Sequence, residues 1–190
     1  MITLLGAYLL LALFLVLEGR LRQGSAARSR EAGEHDRSST QYVGAAFGLS
    51  MLCMLLAPLL NYFKLGAVIP PAVAWAGLVL AAAGLGLRVW APRVLGQYYT
   101  RTLRVAEQQT VVEAGPYHYI RHPGYAGLMA LWIGASLASG NVFVALVITL
   151  AMFAAYAYRI QSEEVMLVAT LGQPYRDYQK RTKRLIPFIY

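Results

Sequence analysis

The stretch from Gly115 to Gly127 sets Tyr117, His118, Arg121, His122 and Tyr125 among glycines and prolines at the mouth of an apolar run. Farther on, Arg159, Glu163 and Glu164 close another apolar run. Phenols, imidazoles, guanidinium groups and carboxylates in such a place can hold ions or move protons. Pro123 fits the first turn of a helix, which puts Arg121 and His122 just before the positive end of its dipole, a position that favours an anion. The plainer alternative is that Arg121-His122-Pro123 stops one element, reaches to lipid head groups and starts the next. Arg159 and Glu163 stand four residues apart and share a helix face, whereas Glu164 points elsewhere. One face thus offers a cation and an anion. Arg preceding Glu is the poorer order for a stabilising pair, and an exposed pair contributes only a few tenths of a kcal/mol. Two adjacent carboxylates at a membrane boundary therefore read as a site before a stability device.

Paired carboxylates could serve general acid and base chemistry or bind a hard metal, but neighbours on a helix diverge, which weakens both readings. His35, His118 and His122 lack the HExxH spacing and have no CxxC companion, which argues against zinc and any other metal site. Cys53 is the single cysteine and lies inside an apolar run, so no disulfide framework exists. There is no GxSxG elbow, P-loop or GxGxxG in a strand-helix setting.

These groups need elements to position them, and composition says which. Of 190 residues 58% are apolar and 14% charged, against about 25% charged in soluble domains. The chain reads as an all-α integral membrane protein. Apolar segments at 2–17, 42–63, 68–90, 124–139 and 142–158 predict about five transmembrane helices, the first and the last two being short for a full span. No cation precedes the first segment, and Glu18, Arg20 and Arg22 follow it, the pattern of a retained anchor. Cations cluster after the first, third and fifth segments, with Lys64 alone on the opposite side. That bias predicts an outside N-terminus and a cytosolic C-terminus and site. The net charge of +8 is explained by anionic lipid head groups and needs no nucleic acid.

Residues 18–41, rich in Arg, Glu, Ser and Gly, predict an exposed connector. Pro70-Pro71 predict a helix start, Lys64-Leu65-Gly66 a short turn, and Ser139-Gly140-Asn141 the tight turn of an antiparallel helical hairpin. The short hairpin arms could stop before the far leaflet or be extended by flanking residues. Helical spacing over 165–171 ends at Gly172, and a short basic helix is expected from Pro174 to Thr182. Arg181, Lys183 and Arg184 beside Phe188 and Tyr190 suit an interfacial anchor. Residues 1–95 are expected to form the N-terminal helices and connector, and residues 96–190 the functional region.

Two blocks, Gly115-Pro116-Tyr117 with Arg121-His122-Pro123-Gly124-Tyr125-Ala126-Gly127, and Arg159, Glu163-Glu164, Leu167, Leu171-Gly172, Tyr175, Tyr178, resemble the isoprenylcysteine carboxyl methyltransferase family. The ending Arg184-Leu185-Ile186-Pro187 is similar too, so the resemblance covers about the last half of the chain. It implies S-adenosylmethionine held between the cytosolic ends of the C-terminal helices, with a lipid substrate entering from the bilayer. The implied cofactor site comprises Gln109, Thr110, Val111, Val112, Tyr117, His122, Pro123, Gly124, Tyr125 and Glu163, Gln109 standing where the family often has His. Arg159 would face the substrate, so Arg159, Glu163 and Glu164 are the residues nearest the chemistry.

Methylation of a carboxylate is an in-line displacement by a nucleophile already ionised, so alignment and exclusion of water matter more than a base. An amine acceptor would need to lose a proton, making Glu164 or His122 a candidate base. The acceptor is expected to be a prenylated cysteine carboxylate, with phospholipid amines and other isoprenoid-tailed molecules open. An NADPH-dependent sterol-type reductase, which shares an Arg-His-Pro-x-Tyr block, and a non-enzymatic lipid-binding scaffold are the competing readings. The oligomeric state stays open.

Overall fold

A computed structural model describes residues 1–21, 38–98, 110–187 and 189–190. Among them the chain forms six α-helices, α1 (Ile2–Leu21), α2 (Ser39–Tyr62), α3 (Pro71–Leu95), α4 (Pro123–Ala138), α5 (Val142–Leu171) and α6 (Gln173–Arg181), with 3-10 turns at Gly96–Tyr98 and Gly115–His118. Helices are what an apolar chain must form in lipid, where no water can satisfy exposed backbone groups. α1, α2, α3 and α5 are long and apolar enough to cross a membrane, and α4 is a shorter apolar helix of 16 residues.

The helix ends follow from their punctuation. Pro71 and Pro123 each occupy the first turn of their helix, where a missing N–H costs nothing. The Asn141 side chain caps α5 by accepting from Phe143 N at 3.0 Å and Val144 N at 3.3 Å. Gly172 stops α5 at φ 63, a left-handed value that glycine adopts freely.

The hairpin joined at Ser139–Asn141 has unequal arms. α5 runs 30 residues without a break, about 45 Å against a hydrocarbon core of about 30 Å. The polar run after 158 is thus the extension of the same helix, and it carries Arg159, Glu163 and Glu164 on a rigid rod. α6, one residue earlier at each end than expected, folds back beneath it.

α3 and α4 form the tightest pair. A Cβ on Gly84 would lie 2.5 Å from Leu131 N, and one on Gly134 would lie 2.4 Å from Ala81 N. Only hydrogen fits there, the usual device for close helix approach in membranes. α2 packs on α5, while α1 packs on α3 and α4. At the 61–66 and 139–141 end, Asn141 Nδ2 donates to Asn61 Oδ1 and Leu65 O, and Asn61 Nδ2 donates to Ser139 O, a lock that binds the α2 end to the hairpin turn.

The connector expected at 18–41 is shorter than the sequence suggests. Glu18 lies in α1, and Ser39 and Thr40 lie in α2, with Glu18 and Ser39 buried. Residues 22–37 lie outside the described residues. Arg88, one of the cations at the end of the third apolar segment, is buried inside α3.

Candidate functional site

A cavity of about 390 Å³ lies between the end of α1, the start of α2, the end of α3, the start of α4, and the last turns of α5 with α6. Of the residues expected at the site, Thr110, Val111, Val112, Tyr117, His122, Gly124, Tyr125, Arg159 and Glu163 all line it. Pro123 is fully buried as the first residue of α4 and does not line it. Glu164 does not line it either, and Gln109 lies outside the described residues.

Tyr125 joins the charged groups. Its hydroxyl donates to Glu163 Oε2 at 2.6 Å and accepts from Arg159 Nε at 3.2 Å. Arg159 is buried, and its Nη1 donates to Ser39 Oγ and Thr40 Oγ1, both at 2.9 Å, which fixes the guanidinium against the first turn of α2. The His122 ring stacks on Tyr125 with centroids 5.6 Å apart and planes 8° from parallel. One helix face of α5 therefore does present a cation and an anion, arranged around a phenol from α4.

Glu164 has a different environment. Its side chain is 7% exposed; Oε1 accepts from Arg121 Nε at 2.8 Å, and Oε2 accepts from Arg184 Nη2 at 2.9 Å and Nε at 3.0 Å. His122 Nε2 stands 3.4 Å from Oε1. The Glu164 bonds hold Arg184 firmly charged, raising its pKa. Arg121 also donates to the backbone oxygens of Gln179 and Thr182. Backbone N–H groups of Arg121 and His122 donate to Lys183 O and Arg184 O at 2.7 and 3.0 Å. Glu164 thus ties the C-terminal tail to the turn before α4, and a carboxylate saturated by guanidinium groups is poorly placed to act as the base expected for an amine acceptor. Arg184 belongs to this tie in place of a free interfacial anchor, whereas Lys183 is exposed.

The wall formed by residues 110–117 is held to α6. Tyr178 donates its hydroxyl to Tyr117 O at 2.6 Å, and Arg181 makes two contacts with Glu113 at 2.9 and 3.0 Å. Burial raises the Tyr178 phenol pKa; burial followed by the charges of Glu164 and Glu163 raises that of Tyr175. Both stay neutral donors at physiological pH.

Residue reasoning missed the Glu18 and Arg88 pair that also lines the cavity. Arg88 Nη2 and Nε donate to Glu18 Oε1 and Oε2 at 2.7 and 3.1 Å, with both side chains under 9% exposed. Arg88 inside the third apolar segment was the available signal, since an intramembrane charge implies a partner; Glu18, just past the first segment, carried none of its own. Thr40 and Tyr156 were missed as well, and nothing in their local sequence sets them apart; Tyr175 stood in the second sequence block but was not assigned to the site. Among the described residues no group of His, Cys, Asp or Glu side chains is arranged to hold a metal ion.

Comparisons with known proteins point one way. The chain is 29% identical over 119 residues to a probable protein-S-isoprenylcysteine O-methyltransferase of Oryza sativa subsp. indica, covering 62% of each chain. It is 30% identical over 116 residues to the protein-S-isoprenylcysteine O-methyltransferase of Rattus norvegicus, covering 60% of this chain and 41% of that one. Each match thus spans less than two thirds of the relative. The solved structure of the eukaryotic intramembrane Ras methyltransferase ICMT superposes with a TM-score of 0.68 over 97% of this chain and 66% of that one, at 24% identity, which establishes a shared membrane fold. The isoprenylcysteine carboxyl methyltransferase family model matches residues 75–169, half of the chain and most of the cavity wall, and this integral membrane protein belongs to that family.

Proposed function

We propose that the protein uses S-adenosylmethionine to methylate the carboxylate of a lipid-tailed acceptor, a prenylated cysteine or similar isoprenoid-tailed molecule. The observation that carries this reading is the junction of Arg159, Tyr125 and Glu163 in one cavity, an anion holder and a cation holder joined by a single phenol. Relatives named as isoprenylcysteine O-methyltransferases support the same choice.

The donor set fits the cofactor by chemistry. The N-terminus of α4 suits its carboxylate. Glu163 suits the ammonium or the ribose hydroxyls. Tyr117, Tyr125 and Tyr175 offer aromatic faces for the adenine and the cationic sulfonium. Backbone groups of Thr110 to Val112 suit the adenine edge.

When bound, S-adenosylmethionine supplies an electrophilic methyl group: the acceptor oxygen bonds to that carbon as its bond to sulfur breaks, and the electron pair leaves with S-adenosylhomocysteine. No proton is transferred, so the residues need only orient and dehydrate. Arg159, fixed by Ser39 and Thr40, is placed to attract the acceptor carboxylate by its charge. The cation bias supports a cytosolic position for this end of the bundle.

The test is binding and turnover with detergent-solubilised protein. S-adenosylhomocysteine should bind, and labelled methyl should pass from S-adenosylmethionine to prenylcysteine analogues. Arg159→Ala should raise KM for the acceptor and leave S-adenosylhomocysteine affinity intact. Tight NADPH binding without S-adenosylhomocysteine binding would overturn the proposal.

A further inference from the structure

The cavity continues past Arg159 into a slot between α1 and α2. These helices are consecutive but do not pack closely on each other, since α1 rests on α3 and α4 and α2 on α5. Side chains bridge them instead. Tyr8 donates to Met54 O at 2.7 Å, and Phe14 stacks on Phe47 with centroids 6.3 Å apart. Phe47 in turn meets the fully buried Trp132 edge-on at 5.4 Å. This aromatic stack forms the far end of the slot. On the near side the α2 wall consists of Thr40, Val43 and Gly44.

Gly44 is the unusual member of that wall. It lines the cavity, and a Cβ built on it meets no described atom within 4 Å. It is not a close-approach glycine like Gly84 or Gly134: it is exposed, and the open space beside it is continuous with the cavity it lines. It also stands four residues, about 6 Å, beyond Thr40 along α2, and Thr40 holds the Arg159 guanidinium. That spacing resembles the four bonds from a cysteine carboxyl carbon to the first carbon on its sulfur. An acceptor carboxylate on Arg159 thus sets the first units of its thioether tail against Gly44.

Resting on the reading above, we infer that Gly44 is a specificity-determining position: its missing side chain gives the slot the girth for a methyl-branched isoprenoid tail where a straight alkyl chain would need less. A methyl branch and a trisubstituted double bond make each isoprene unit wider than an equal run of methylenes. In a close-packed wall, added carbon atoms must be matched by room or by displacement. The open space at Gly44 supplies that room where the tail begins, two bonds before its first branch.

The experiment compares Gly44→Leu with Gly48→Leu, using S-farnesylcysteine and S-dodecylcysteine as acceptors. Gly48 lies one turn on, also has no described atom within 4 Å of a built Cβ, and does not line the cavity, so it controls for helix propensity and lipid exposure. Gly44→Leu should lower kcat/KM for the farnesyl acceptor about tenfold or more, with a much smaller loss for the dodecyl acceptor and unchanged S-adenosylhomocysteine affinity. Gly44→Ala should fall between wild type and Gly44→Leu, and Gly48→Leu should match wild type. Equal losses on both tails, or no difference between the Gly44 and Gly48 variants, overturn this inference and leave the methyltransferase reading standing. Loss of S-adenosylhomocysteine binding in both Gly44 variants overturns it too, by assigning Gly44 to the cofactor. A wild-type protein that methylates neither acceptor fails at the reading itself, and this inference falls with it.

Discussion

Glu163 and Glu164 are neighbours on one helix, yet they meet different surroundings. The Glu163 side chain is 23% exposed, lines the cavity and has a phenol as its hydrogen-bonding partner. Glu164 is 7% exposed and is saturated by two guanidinium groups from the turn before α4 and from the tail. The helical turn of about 100° between adjacent residues separates a group left available for a ligand from one consumed by architecture. A carboxylate's role at a membrane boundary is thus set by how many donors the fold has already assigned to it.

That contrast can be broken by substitution, and the largest effect is expected on the structural side. Glu164→Ala leaves the largely buried Arg121 guanidinium and the half-buried Arg184 without their carboxylate, so thermal unfolding in detergent should show a loss of about 3–5 kcal/mol. Stability within about 1 kcal/mol of wild type would demote the tie to a surface pair. Glu163→Gln should act the other way round. S-adenosylhomocysteine affinity should weaken by about 1–3 kcal/mol, the value of a charge-assisted hydrogen bond, with little change in Tm; a large drop in Tm with affinity intact would reverse the two roles.

Tyr175 feels both carboxylates and sharpens the comparison through pH. Burial and the charges of Glu164 and Glu163 raise its folded pKa above the ordinary phenol value of 10.0. Its contribution is fully present below pH 10, where the phenol is neutral in both states. Above that pH the unfolded chain releases the proton while the folded one keeps it, so stability should fall by about 1.4 kcal/mol per pH unit. Tyr175→Phe should remove that share of the alkaline slope, and an unchanged slope in urea or thermal titrations would contradict the assignment. The smallest effect belongs to Arg181→Ala. Its pair with Glu113 is exposed on both sides, and less than about 1 kcal/mol should be lost.

Much of the fold was legible because lipid leaves few choices. Pro71 and Pro123 marked helix starts, Gly172 marked the end of α5, and the tight turn at 139–141 required a hairpin. Helix was legible after 158 in the Arg159 and Glu163 spacing and over 165–171, but its fusion with the fifth apolar segment into one unbroken rod was not, because the change from apolar to polar composition marks a boundary that the backbone does not share. Most of the cavity wall was recognisable from the two sequence blocks around Arg121-His122-Pro123 and Glu163-Glu164. Glu18, Ser39 and Thr40 were not, since they sit in a stretch whose composition suits an exposed connector.

By itself the sequence determined that the chain is helical and membrane-embedded, and that Tyr125, Arg159 and Glu163 are groups able to meet charged ligands. Those properties follow from hydropathy, helix punctuation and side-chain chemistry, all local. Only the tertiary structure decided the partners: Arg88 for Glu18, Ser39 and Thr40 for Arg159, and Arg121 with Arg184 for Glu164. Burial and pairing depend on which helices meet, and residues as far apart as 40 and 159 meet only because α2 packs along α5.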